Sequence, residues 1–109
     1  IIGTVAGKDV IIYDDEIATG GTIVGIVQML VEQGARQISV ICAHGLFTGP
    51  AIERLSALDC LHEIITTNSV PIAPDKRLPN MVVLSVGPIF GETIRRNLKG
   101  ESVQPLFSY

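Results

Sequence analysis

The chain has 109 residues, of which 47% are apolar and 17% charged, and its formal net charge is −3. That length suits one domain spanning residues 1–109, and the apolar content is high enough for a buried core, which excludes a disordered chain. The slight acidity argues against a nucleic-acid-binding surface, and no apolar run reaches the ~18–20 residues that a membrane-spanning helix requires.

The first part of the chain predicts strands alternating with a helix. Ile1 to Val5 favours a short strand, and Val10 to Tyr13 is a continuous apolar run, as expected of a central strand buried on both faces. From Thr22 to Gln33, apolar residues recur every three or four positions, which predicts a helix that stops at Gly34. Gln37 to Ala43 is again apolar and predicts a second strand.

The same alternation continues to the end of the chain. The later predicted elements are a helix opened by Pro50 and running through Leu58, a strand over Leu61–Thr67, a proline-rich loop over Val70–Asn80, a strand over Met81–Val86, a helix over Pro88–Arg96 closed by Gly100, and an extended tail over Glu101–Tyr109. Strands and helices that alternate at this spacing indicate an α/β fold. We expect a doubly wound, mainly parallel sheet with helices on both faces.

The strongest functional signal comes directly after the Val10–Tyr13 strand. Asp14, Asp15 and Glu16 stand at its carboxyl end, which is the edge where open α/β sheets bind ligands, and adjacent carboxylates can hold the neighbouring hydroxyls of a ribose. Residues 19–22 (Thr-Gly-Gly-Thr) then lead into a helix, whose first N–H groups attract an anion. Either half alone is explained by capping and solvation. In this order, the two halves predict a sugar-phosphate site.

The run from Asp14 to Thr22 resembles the ribose-phosphate loop of the type I phosphoribosyltransferase fold. Other stretches narrow the resemblance to the ribose-phosphate pyrophosphokinases (phosphoribosyl pyrophosphate synthetases): Ala43–Arg54, Thr66–Pro71, Leu84–Val86, Glu92–Arg96, Gly100–Val103 and Leu106–Phe107. The resemblance covers essentially this whole chain but only the C-terminal third or so of that family's protein.

The resemblance implies transfer of diphosphate from ATP to the anomeric hydroxyl of ribose 5-phosphate, with Mg²⁺, in cytoplasmic nucleotide biosynthesis by a homo-oligomer. The ribose 5-phosphate-binding residues that it implies are Asp14, Asp15, Ala18, Thr19, Gly20, Gly21 and Thr22. The family's ATP pocket and magnesium ligands belong to its upstream part, so we expect no catalytic or metal-binding residue here and no catalysis by this fragment alone. Ser102 and Phe107 match positions of a regulatory phosphate or nucleotide site.

Two other functions stay open at this point. A phosphoribosyltransferase of the purine type uses the same loop but displaces pyrophosphate with a base. A non-catalytic regulatory homologue keeps the fold and assembles with active subunits; Ala18, where the family usually has Asp, and Gln104, where serine is common, favour this alternative. His44 ends the second strand at the ligand edge, where it either lines the pocket or has its ring hydrogen-bonded to the backbone.

Overall fold

The computed structural model describes residues 3–107, in which strands and helices alternate along the chain. Within this range the strands are β1 (Asp9–Ile17), β2 (Gln37–Gly45), β3 (Leu61–Thr67) and β4 (Met81–Leu84). The α-helices are α1 (Gly21–Glu32), α2 (Ala51–Ser56) and α3 (Gly87–Lys99), and short 3-10 turns cover Pro74–Lys76 and Gln104–Phe107. None of the helices in this range is long and apolar enough to cross a lipid bilayer.

The strands form one parallel sheet in which strands adjacent in sequence are also adjacent in space, in the order β1-β2-β3-β4. Parallel neighbours need crossover connections, and right-handed crossovers that all step the same way across a sheet lie on the same face. The predicted α/β class and parallel sheet are therefore confirmed, and this strand order places α1 and α2 together on one side.

The core lies between that face of the sheet and the two helices. Ile23, Val27 and Leu30 of α1 follow the spacing that puts side chains on one helix face, and each is at most 4% exposed. Their buried partners include Ile12, Ile38, Val40, Cys42 and Ile64 from the strands and Ala51 and Leu55 from α2. The buried Thr66 hydroxyl accepts a hydrogen bond from the Cys42 thiol at 3.3 Å, so the core holds no unsatisfied polar group at this point.

The opposite face of the sheet is open. Ile11 and Tyr13 of β1 are 66% and 76% exposed, and α3, in which no residue is buried, leaves this face uncovered. The expectation of helices on both faces is therefore wrong for residues 3–107, and β1 is an edge strand rather than a central strand buried on both faces. An apolar run shows that both faces of a strand are apolar, but it does not show that both are covered.

Most predicted boundaries agree with the structure. The strand over Leu61–Thr67 is confirmed, and Gly34 and Gly100 follow α1 and α3 in the left-handed conformation that favours glycine, with φ of 78° and 66°. The strand predicted over Ile1–Val5 is absent from residues 3–5, and its first two residues lie outside the described range. The tail, expected to be extended, forms a 3-10 turn over Gln104–Phe107, and its last two residues also lie outside that range.

Candidate functional site

A cavity of about 350 Å³ lies at the carboxyl end of β1, and one continuous segment lines it. The lining residues run from Asp14 to Ile23, and they include every residue predicted to bind ribose 5-phosphate. The structure thus brings the predicted acids and the predicted glycine-rich loop to one concave surface. Their binding role stays a prediction at this point.

The acids belong to β1 itself rather than to a loop behind it, which corrects the predicted end of that strand. β1 continues to Ile17, with Asp14 opposite Cys42 and Glu16 opposite His44 of β2. The alternation of buried and exposed residues breaks between Asp14 and Ile17, where Asp14 Oδ1 accepts a hydrogen bond from the N–H of Asp15 at 2.9 Å. This local irregularity is what allows neighbouring carboxylates to line the same cavity.

The loop that follows is shaped by Gly20. Its φ of 74° is left-handed, and a Cβ at this position would lie 3.6 Å from the Cα of Ala51, so α2 packs closely against the loop. α1 begins at the next residue and has no side-chain cap. Within residues 3–107, the N–H groups of residues 20–23 therefore donate to no protein acceptor. Ordinary capping by Thr19 or Thr22, the structural alternative for this motif, is not what the structure shows.

The connection from β2 to α2 braces the end of β1. The N–H groups of Leu46 and Phe47 both donate to the carbonyl of Ile17 at 3.0 Å, and the N–H of Thr48 donates to the carbonyl of Ala18 at 2.9 Å. Phe47 is 1% exposed and has a φ of 43°, a conformation that a bulky residue adopts only where its surroundings hold it. The sequence patterns gave no indication of this support.

A second contact that sequence reasoning missed comes from α2. Arg54 Nη1 donates a hydrogen bond to the carbonyl oxygen of Thr19 at 3.0 Å, which ties α2 to the loop across 35 positions of sequence. In the sequence, Arg54 is one of several scattered arginines. Only the packing of α2 against Gly20 brings it to the site, and no local pattern encodes that packing.

Three other predicted candidates lie apart from the cavity. His44 is not among the lining residues; its Nδ1 is paired at 2.8 Å with the side-chain hydroxyl of Ser69 rather than with the backbone. Ser102 accepts a hydrogen bond from the N–H of Gln104 at its hydroxyl, and Phe107 is 63% exposed, so both belong to the segment after α3. A regulatory role of Ser102 and Phe107 stays a prediction.

The acids of this site do not make a metal centre by themselves. Among residues 3–107, no group of three or more His, Cys, Asp or Glu side chains is arranged to hold a metal ion.

Comparison with known proteins decides the family. The sequence model of the phosphoribosyl synthetase-associated domain matches residues 1–108. The chain belongs to this family. The chain is 47% identical to the ribose-phosphate pyrophosphokinase of Clostridium acetobutylicum and 45% identical to the putative ribose-phosphate pyrophosphokinase of Streptomyces coelicolor, each over 98% of this chain.

The likeness extends to three dimensions. The crystal structure of phosphoribosylpyrophosphate synthetase from Mycobacterium smegmatis superposes with a TM-score of 0.86 at 43% identity, over 91% of this chain and 33% of that one. This phosphoribosyl synthetase-associated domain spans about a third of the length of the relatives that it matches, 33% and 34% for the two named above. The predicted family resemblance is confirmed.

Proposed function

We propose that this domain is the ribose 5-phosphate-binding part of a ribose-phosphate pyrophosphokinase. In this reaction the anomeric hydroxyl oxygen of ribose 5-phosphate attacks the β-phosphorus of ATP, the bond between that phosphorus and the oxygen bridging it to the α-phosphate breaks, and AMP leaves. ATP and Mg²⁺ would act in the longer protein, together with residues outside this chain, and self-association of that protein is part of the same proposal.

The observation that carries the proposal is the pairing of two chemistries in one cavity. Asp14 and Asp15 offer carboxylate oxygens, which accept hydrogen bonds from hydroxyl groups, and a few residues later the N–H groups of residues 20–23 have no protein acceptor. A phosphate ester suits those N–H groups, because several donors and the positive end of the α1 dipole face it together. A pentose with a terminal phosphate satisfies both halves at once.

Catalysis by such a site depends on positioning. Transfer of a phosphoryl-type group needs little covalent help from the protein, since most of the rate comes from holding the two reactants in line and stabilising charge. The residues described here would hold the pentose by its hydroxyls and its phosphate, which fixes the direction in which the anomeric oxygen points. They would bind and orient ribose 5-phosphate, and the rest of the protein would bind ATP.

The direct test is an assay of the full-length protein with ATP, Mg²⁺ and ribose 5-phosphate, which is expected to form AMP. The double variant Asp14→Asn with Asp15→Asn removes both charged acceptors and should raise the KM for ribose 5-phosphate by about tenfold or more, since hydrogen bonds to charged groups contribute about 1.5–3 kcal/mol. An unchanged KM for ribose 5-phosphate would show that these carboxylates do not contribute to its binding.

The matched control is Asp59→Asn with Asp75→Asn, which makes the same change of charge at two exposed acids outside the cavity. It should leave the KM for ribose 5-phosphate unchanged.

Gly21→Val tests the phosphate half of the site. A Cβ on residue 21 would lie 3.5 Å from Arg54 Nη1 and 3.9 Å from Thr19 Oγ1, which are ordinary contact distances, so the fold should persist. The branched valine side chain should crowd the cavity.

Ala18 favours a second candidate, a non-catalytic regulatory homologue. It lines the cavity with a methyl group where the family resemblance leads one to expect a carboxylate. Binding of ribose 5-phosphate without formation of AMP would support this candidate over the first. Ala18→Asp, which restores the expected acid, would then be the variant to assay for a gain of AMP formation.

A further inference from the structure

Arg54 is in direct contact with the loop that forms the phosphate half of the site. Its Nη1 donates to the carbonyl oxygen of Thr19 at 3.0 Å, and the same nitrogen lies 3.5 Å from the position that a Cβ of Gly21 would occupy. The guanidinium therefore lies against the loop at two positions, Thr19 and Gly21. Its contact is with backbone atoms, so it acts on the shape of the loop rather than on one side chain.

The hydrogen bond to Thr19 fixes the orientation of a peptide group. The carbonyl of Thr19 and the N–H of Gly20 belong to one planar trans peptide unit, so they point in opposite directions. With the oxygen held on the Arg54 side, the N–H of Gly20 faces the other way. Glycine backbones reorient at little steric cost, and within residues 3–107 the hydrogen bond from Arg54 is the only one that this peptide group makes.

The charges of the side chains around the cavity are a second observation that concerns Arg54. The cavity is lined by Asp14, Asp15 and Glu16 but by no lysine or arginine, so all the charged side chains that line it are negative. Among residues 3–107, Arg54 is the cationic side chain that hydrogen-bonds to the loop. Three other arginines form ion pairs, all with acids outside the cavity: Arg36, Arg95 and Arg96. The guanidinium is permanently charged and presents further N–H groups.

We propose that Arg54 is a positioning residue for ribose 5-phosphate. It holds the Thr19–Gly20 peptide group so that the N–H of Gly20 remains directed away from α2 and available to the phosphate, and it brings a positive charge to the loop. Without it, rotation of that peptide group would present the carbonyl oxygen of Thr19 in place of an N–H donor. This inference rests on the proposed function, since it names the part of the site that secures the phosphate.

The test measures binding and kinetics in the full-length protein. Arg54→Ala should raise both the Kd and the KM for ribose 5-phosphate by about tenfold to a hundredfold, the range for loss of a charge-assisted hydrogen bond, while the KM for ATP changes less than about twofold. Arg54→Lys retains one donor and the charge, so its affinity should lie between those of the wild type and Arg54→Ala. The melting temperature should change little, because Arg54 is exposed.

The control is Arg36→Ala, the same change at an arginine paired with Asp9 where β1 and β2 begin, far along the strands from the cavity. It should leave ribose 5-phosphate affinity unchanged. An unchanged Kd in Arg54→Ala, or a lysine variant no better than alanine, would overturn the role of Arg54 alone. A wild-type protein that binds no ribose 5-phosphate would overturn the proposed function, and with it this inference.

Discussion

Helices α1 and α3 have similar lengths, 12 and 13 residues, and each follows a strand of the parallel sheet, but they differ in what their apolar residues contact. α1 buries Ile23, Val27 and Leu30 against the sheet. α3 also carries apolar residues at helical spacing, namely Phe90, Ile94 and Leu98, and these are 58%, 59% and 81% exposed. The same spacing of apolar residues is therefore buried in the core in α1 and exposed on the surface in α3.

Helix α3 is stabilised by interactions within itself and with the residues that follow it. Glu92 accepts hydrogen bonds from Arg95 and Arg96, Arg95 also reaches Glu101, and Gly100 closes the helix in a left-handed conformation. Exposed ion pairs of this kind contribute only tenths of a kcal/mol each. The comparison shows that α1 is stabilised by the fold around it, whereas α3 in this chain is stabilised mainly by itself.

The largest expected effect on stability comes from comparing the same substitution, isoleucine to alanine, made separately in α1 and in α3 of the 109-residue chain. Ile23→Ala should lower the free energy of unfolding by about 2–5 kcal/mol, because it opens a cavity in the core. Ile94→Ala should change it by less than about 0.5 kcal/mol, because the side chain is already in water and alanine is the better helix former. Chemical denaturation of both variants measures the difference.

The same pair in the full-length protein sharpens the comparison. If Ile94→Ala lowers the free energy of unfolding of the full-length protein by well more than it does in the 109-residue chain, the longer protein covers the apolar side of α3. Equal costs for the two isoleucines within the 109-residue chain would contradict the difference in burial described here.

The glycines that end the two helices should give the next largest effect. Gly34→Ala places a Cβ at φ 78°, and should lower the free energy of global unfolding by about 1 kcal/mol. Gly100→Ala imposes the same strain at φ 66° but should act only on α3. Amide hydrogen exchange should then be faster in α3 and unchanged in the core; slower or equal exchange in α3 would show that the cap contributes nothing.

The smallest effect concerns pH and α3 alone. Hydrogen bonds from Arg95 first, and then from Arg96, lower the pKa of Glu92 to about 2, below the ordinary value of 4.5. A depressed carboxylate pKa stabilises the folded form above about pH 4.5, and that contribution is lost as the pH falls towards 2. Helical circular dichroism from α3 should therefore decline over this range, and Glu92→Gln should flatten the decline. An identical pH profile in that variant would contradict the assignment.

The sequence supported prediction of those features that depend on local patterns. The strand Leu61–Thr67 was bounded correctly because Ile64 and Ile65 favour a strand and the turn residue Asn68 follows it. The segment from Asp14 to Thr22 carries its chemistry in consecutive residues. The open face of the sheet was not predictable, since Ile11 and Tyr13 are apolar whether or not another layer covers them. Arg54 was missed for a related reason: its contact with Thr19 exists only after α2 has packed against the loop.

The edge position of β1 has a consequence for solubility. Among the described residues no strand pairs with the outer edge of β1, so its free peptide groups offer a template on which another extended chain can add. Asp14, Asp15 and Glu16 place negative charge along this border, and two molecules approaching border to border would bring both sets of carboxylates together. The acids proposed to bind the sugar should thus also discourage aggregation, and light scattering of the asparagine double variant should accompany its binding assay.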